Sequence, residues 1–136
     1  MKAIRHGDVL LVPIDRVEGD LTELSRDPRL GVVLAYGETT GHAHHLADPG
    51  ARLFEPSTLC RFFHGDTELV VDAAGGGAPR LLTVEGDATL LHHDHGVGVP
   101  DGATEMETPI APGKYIVIRQ RERSFSDIAG YRRVSD

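Results

Sequence analysis

Short apolar runs, each cut off by Gly, Pro or Asp, recur along the whole chain, and no stretch sustains the i, i+3, i+4, i+7 spacing of an amphipathic helix. Long helices are excluded by that punctuation, since a glycine or proline in a helix interior costs about 1 to 3 kcal/mol. Strands tolerate it, because a short β-branched run needs a turn soon after it. Asp8 to Ile14, Leu30 to Tyr36, Ala51 to Glu55, Leu59 to Phe63 and Glu68 to Asp72 read as strands. So do Arg80 to Glu85, Ala88 to His92, Tyr115 to Glu122 and Tyr131 to Val134. The expectation is an all-β domain spanning residues 1–136, either a small barrel or a sandwich. One short helix competes with a polar loop at Asp20, where Asp20 and Glu23 have capping-box spacing before Leu24. Gly75-Gly76-Gly77-Ala78-Pro79, flanked by apolar runs, reads as a hairpin tip. It is no phosphate loop, since Pro79 lacks a backbone donor and no Gly-Lys-Ser/Thr follows.

A chain of 136 residues is long enough to bury a core without disulfides. Its single cysteine, Cys60, cannot pair within the chain, and it is expected half-buried between Leu59 and Phe62 or Phe63. A free thiol, the charges and Pro13 within residues 1–15, and the lack of an apolar run near 20 residues make the cytoplasm the expected location, away from membranes. The formal net charge of −7 argues against broad, non-specific nucleic-acid binding, although it leaves a local basic patch able to meet an anion.

The chemistry concentrates in the histidines. Three imidazoles fall in His42-Ala43-His44-His45 and three more in His92-His93-Asp94-His95, with His64 alone between them and His6 apart. Imidazole is the commonest protein ligand of transition metals. On an extended segment His42 and His44 share a face and His45 takes the other. In the second cluster His93 and His95 share a face if the strand continues, whereas His92 and His95 converge if the chain turns at Asp94. Gly41 and Gly96 permit sharp bends beside both clusters, which places them at strand ends. Three or four imidazoles would hold a divalent transition metal such as Zn, Fe, Mn, Ni or Cu. Glu38 and Asp94 are the nearest carboxylates, candidates for catalytic general base or outer ligand. His6 and His64 read as ordinary turn or surface residues.

Arg119, Arg121 and Arg123 alternate with Gln120 and Glu122, so a strand there would carry three guanidiniums on the face opposite Ile116 and Ile118. Such a row either clamps an anion, with Arg119 and Arg121 as the substrate-binding candidates, or protects a solvated edge strand.

Two resemblances bear on this pattern. Gly37-Glu38-Thr39-Thr40-Gly41-His42-Ala43-His44 and Pro100-Asp101-Gly102 loosely resemble the two cupin motifs, which implies a β-barrel holding a metal. The chain departs from that pattern where cupins place a glutamate after the His pair, offering only Asp48, and where they place the later histidine, offering Glu105. More of the chain resembles a family of small uncharacterised bacterial and phage β proteins. The blocks that carry it are His6-Gly7-Asp8-Val9-Leu10-Leu11, the Gly37 to His44 segment, Pro112-Gly113-Lys114-Tyr115 and Arg119-Gln120-Arg121-Glu122. That likeness reads the second cluster as His-x-x-His, which implies His92 and His95, and it names no substrate.

The metal-ligand set expected is therefore His42, His44, His92 and His95. The leading functional expectation is a metal-dependent hydrolase acting on a small anionic or phosphoester substrate. A metal-free histidine phosphodiesterase or ribonuclease, and a non-catalytic β-module that binds a partner or forms a homo-oligomer, are the alternatives. With an aromatic content of 5% and no Trp, the chain has few residues of the kind that anchor protein interfaces.

Overall fold

The computed structural model describes residues 3–6, 9–36, 43–70, 78–93 and 104–119. Their regular structure is entirely β. In chain order the strands are β1 (Ile4–His6), β2 (Val9–Ile14), β3 (Arg16–Glu18), β4 (Leu21–Glu23), β5 (Val32–Tyr36), β6 (Ala43–Leu46) and β7 (Ala51–Pro56). They continue with β8 (Arg61–His64), β9 (Thr67–Leu69), β10 (Arg80–Val84), β11 (Ala88–His93), β12 (Thr104–Ile110) and β13 (Gly113–Arg119). They pair antiparallel into three sheets: a central one ordered β1-β2-β13-β10-β7-β4, a four-stranded one ordered β12-β11-β6-β5, and a three-stranded one ordered β3-β8-β9. None of the three closes into a barrel, so the sandwich is the form taken and the barrel alternative, which the cupin likeness implied, is set aside.

Two cores explain the layering. Val9 and Leu11 of β2 join Val32, Leu34, Leu46, Leu82, Leu90, Ile110, Tyr115 and Val117 in one buried cluster, between the central and four-stranded sheets. Leu10, Val12 and Ile14 point the other way, into a second cluster with Phe62, Leu81 and Ile116, closed by the three-stranded sheet. This is why Val9–Ile14 is apolar without alternation: all six residues are buried, three to each side. Each fully buried leucine among them contributes about 1.5 to 3 kcal/mol. Of the three prolines within strands, Pro56 is the last residue of β7, and the other two sit where no ladder donor is needed. Pro109 lies on the edge strand β12, and Pro13 lies beyond the last residue that β2 pairs with β1.

The chain at Asp20 is neither helix nor polar loop. Leu21–Glu23 forms β4 against the end of β7, with Leu21 opposite Pro56 and Glu23 opposite Phe54. The Asp20 carbonyl accepts from the Ser57 amide at 2.9 Å and the Cys60 thiol at 3.1 Å, and Arg52 pairs with the Glu23 carboxylate at 3.0 Å. Cross-strand partners thus outcompete the capping-box spacing. Cys60 is half-buried against the second core, but Leu59 beside it is 84% exposed, so the thiol does not sit between Leu59 and the phenylalanines. The expected hairpin tip at Gly75 to Gly77, the strand Tyr131 to Val134 and the far ends of two others, at Asp72 and past Arg119, lie outside the described residues.

Candidate functional site

Four connections tie the four-stranded sheet to the central one, and all leave from the same end: Glu23 to Val32, Leu46 to Ala51, Val84 to Ala88 and Ile110 to Gly113. At the opposite end no connection joins these two sheets among the described residues, and in this sense that end is open. There β5 finishes at Tyr36 and β6 begins at Ala43, while β11 finishes at His93 and β12 begins at Thr104. On the facing central sheet β13 finishes at Arg119, β1 at His6, and β2 and β10 begin at Val9 and Arg80. The strands that carry the histidine and arginine motifs therefore reach one end of the sandwich.

At that end the two histidine clusters lie on neighbouring strands. In the β6–β11 ladder His44 is the direct partner of His92, with His45 opposite Leu91 and Ala43 opposite His93. Directly opposed positions of an antiparallel pair have Cα atoms about 4.5 to 5.5 Å apart and share a face of the sheet. That face is the inner one. His44 alternates with Leu46 of the core, stands beside Ala35 on β5, and is only 5% exposed. The described side chain of His44 therefore caps the open end of the first core.

His45 faces the other way and is 2% exposed. Its Nδ1 lies 2.8 Å from the Leu30 carbonyl oxygen. A carbonyl can only accept, so Nδ1 carries the proton and the ring is fastened to the segment leading into β5. His45 is a structural histidine, which separates it chemically from its neighbour.

Of the remaining residues singled out in the sequence, Glu38, His42, Asp94, His95 and Arg121 lie outside the described residues. His92 is placed by its backbone. Arg119 is half-buried at the end of β13 and alternates with Tyr115 and Val117, which puts it on the inner face and leaves Ile116 and Ile118 on the other. It makes an interaction within the fold. Asp48, the one acid available where a cupin would have its glutamate, sits past the tied end of β6 and accepts from the Thr89 amide at 3.1 Å. Arg26 closes the same end by donating to the carbonyls of Ala51, Ala47 and Asp48 at 2.6 to 3.2 Å. Both are structural. Among the described residues no three His, Cys, Asp or Glu side chains gather into a metal-holding group, and the described part of the histidine row supplies one ring and one backbone position.

Two features escaped the sequence. Arg80 heads β10 at the open end, exposed, with nothing in its local sequence to distinguish it from any surface arginine. His64, read as ordinary, ends β8 on the far side of the central sheet with its Nδ1 buried and without a hydrogen-bond partner among the described residues.

The sequence pattern of a family described as a domain of unknown function (DUF8820) matches residues 5–120, and the chain belongs to that family. The match spans both histidine clusters and every described strand except the first residue of β1. Neither a curated protein nor a solved structure matches the chain.

Proposed function

We propose that the open end of the sandwich is a transition-metal site built on His44 and His92, completed by His42 and His95, and that it serves hydrolysis of a small anionic ester of the phosphoester class. The observation that carries this reading is the register that sets His44 opposite His92, about fifty residues apart in sequence yet neighbours on one inner face. Imidazole nitrogens suit Zn, Fe, Mn, Ni or Cu, and His44 brings a ring already held by the core beneath it. A bound ion of this kind supplies a Lewis acid and a water that ionises near neutral pH. The chain's own part is to orient and to exchange protons. Glu38 and Asp94, adjacent in sequence to the two clusters, take the proton from water, and Arg119 neutralises the anion from the facing sheet.

The test is elemental analysis of protein purified without a histidine tag, followed by assay against phosphomonoesters and phosphodiesters with and without chelator. About one equivalent of metal, lost in His44→Ala and in His92→Ala, with hydrolysis lost alongside, is the expected result. Activity that survives complete metal removal would instead establish a metal-free histidine mechanism. No metal and no activity would leave the non-catalytic module, for which one observation speaks. Leu59 and Val70 are 84% and 76% exposed, and Val70 joins Cys60, Phe62 and Leu69 in lining a cavity of about 350 Å³. Burial of that face in a second copy would appear as a dimer in light scattering.

A further inference from the structure

We infer that Arg80 is the second guanidinium of an anion-binding wall, paired with Arg119, and that this wall selects a phosphate group over a carboxylate. The inference rests on reading the open end as a functional site and deepens it by naming what the site holds. Val84 and Ala88 flank the turn that carries the chain from the central sheet to the four-stranded one. Arg80 stands four residues from Val84 along β10, and His92 four residues from Ala88 along β11. At a strand's rise each is about 13 Å from that turn, so the two positions are level on facing sheets about 10 Å apart. Leu82 and Val84 belong to the core between these sheets, and alternation puts Arg80 on the same inner face.

Across the β10–β13 ladder Arg80 is the partner of Val117, which makes Arg119 its diagonal neighbour on that face. Diagonal positions are about 7 to 8 Å apart, within reach of two long side chains converging on one group. The other described arginines that contact acids are engaged elsewhere: Arg16 with Glu18, Arg52 with Glu23 and Arg61 with Glu68. Arg80 makes no ion pair or side-chain hydrogen bond among the described residues. Among the described residues the acid placed nearest by register is Glu55, next along β7 from the Phe54 that opposes Leu81, and no ion pair joins it to Arg80. Glu107, on β12, opposes Leu91 and lies on the outer face. In a chain of net charge −7, Arg80 adds a second guanidinium to the face that Arg119, itself engaged within the fold, already occupies, so that register brings two positive charges to one place. A tetrahedral phosphate offers an oxygen edge to each guanidinium, whereas a carboxylate has a single edge to share.

The experiment is calorimetric titration of the full chain with inorganic phosphate at low salt in the presence of chelator, with acetate as the comparison anion. Wild type is expected to bind one phosphate saturably and acetate weakly. Arg80→Gln should weaken phosphate binding about tenfold or more, as expected for loss of a charge-assisted contact. Glu55→Gln should tighten it, and Arg80→Lys should fall between wild type and Arg80→Gln because it keeps charge without the planar fork. Circular dichroism of each variant checks the fold, and Arg80→Lys serves if Arg80→Gln is misfolded. Absence of saturable phosphate binding in wild type, or an unchanged affinity in folded Arg80→Gln, overturns the inference. Failure of the metal reading is seen separately, as wild-type metal content in His44→Ala, and leaves the phosphate titration unaffected.

Discussion

Gly31→Ala should be among the most damaging single-methyl additions this chain can receive, and the structure gives its size. Gly31 has φ of 87°, in the region where an L side chain crowds the following carbonyl, at a cost of about 1 to 2 kcal/mol. A Cβ there would also lie 2.4 Å from the Leu46 carbonyl oxygen and 2.9 Å from the Ala47 Cα. Both are backbone atoms at the end of β6, so the strand must shift, which adds about 1 to 3 kcal/mol as for other overpacked sites. Gly86 supplies the control: its φ is 74°, but an added Cβ meets nothing within 4 Å. Gly86→Ala should therefore lose only the backbone term. Urea denaturation followed by circular dichroism reads the difference. With a slope of about 2 kcal/mol per molar urea, Gly31→Ala should lower the midpoint by roughly 1.5 M and Gly86→Ala by roughly 0.5 M, the slope unchanged. Because Leu30 holds the His45 ring, the larger shift should be accompanied by a changed His45 resonance. Equal midpoint losses in the two variants would refute the steric account of Gly31.

Two further outcomes follow from the core. Leu90→Ala removes a fully buried side chain from between the two larger sheets and should cost about 2 to 5 kcal/mol, while Leu59→Ala, 84% exposed, should change stability by less than about 0.5 kcal/mol; thermal and urea melts decide. Burial raises the Tyr115 phenol above its usual range; the hydroxyl is also a donor, to the Ala111 carbonyl at 2.6 Å. The raised value means that the fold favours the neutral phenol. The stability this contributes is full below the unfolded pKa near 10 and is lost as pH rises through the folded value. Ultraviolet titration should show a tyrosine step above the usual range, and Tyr115→Phe should remove it. A late step that persists in Tyr115→Phe, or its absence in wild type, would contradict this.

Much of the fold was legible because burial writes itself into composition. The run Val9–Ile14 reads as a strand from its side chains alone, as do Arg80–Val84 and Ala88–His93, and their punctuation excludes long helices. What was illegible depends on neighbours. Ala43–Leu46 carries two histidines in four residues, and it is a strand because β5 and β11 pair with both of its edges. Thr104–Ile110 is polar and contains Pro109, which its edge position tolerates. Leu21–Glu23 exists through its pairing with β7. The candidate site follows the same division. The clustering of imidazoles and, through alternation, the opposite facing of His44 and His45 are visible in the sequence, but the position of His92 opposite His44 is a property of strand order. What each ring meets also depends on neighbours: one faces the core and the other meets the Leu30 carbonyl. Arg80 was invisible for a related reason, since its relation to Arg119 runs across a ladder.

The shared site is tested most directly by zinc titration of protein labelled with ¹⁵N at the histidine rings, with imidazole resonances assigned by single substitution. The account predicts that His44 and His92 respond together, along one binding curve complete at one equivalent, while His45 keeps its Nδ1 proton. Separate curves for the two rings, or a response from only one of them, would contradict a site built where the two clusters meet.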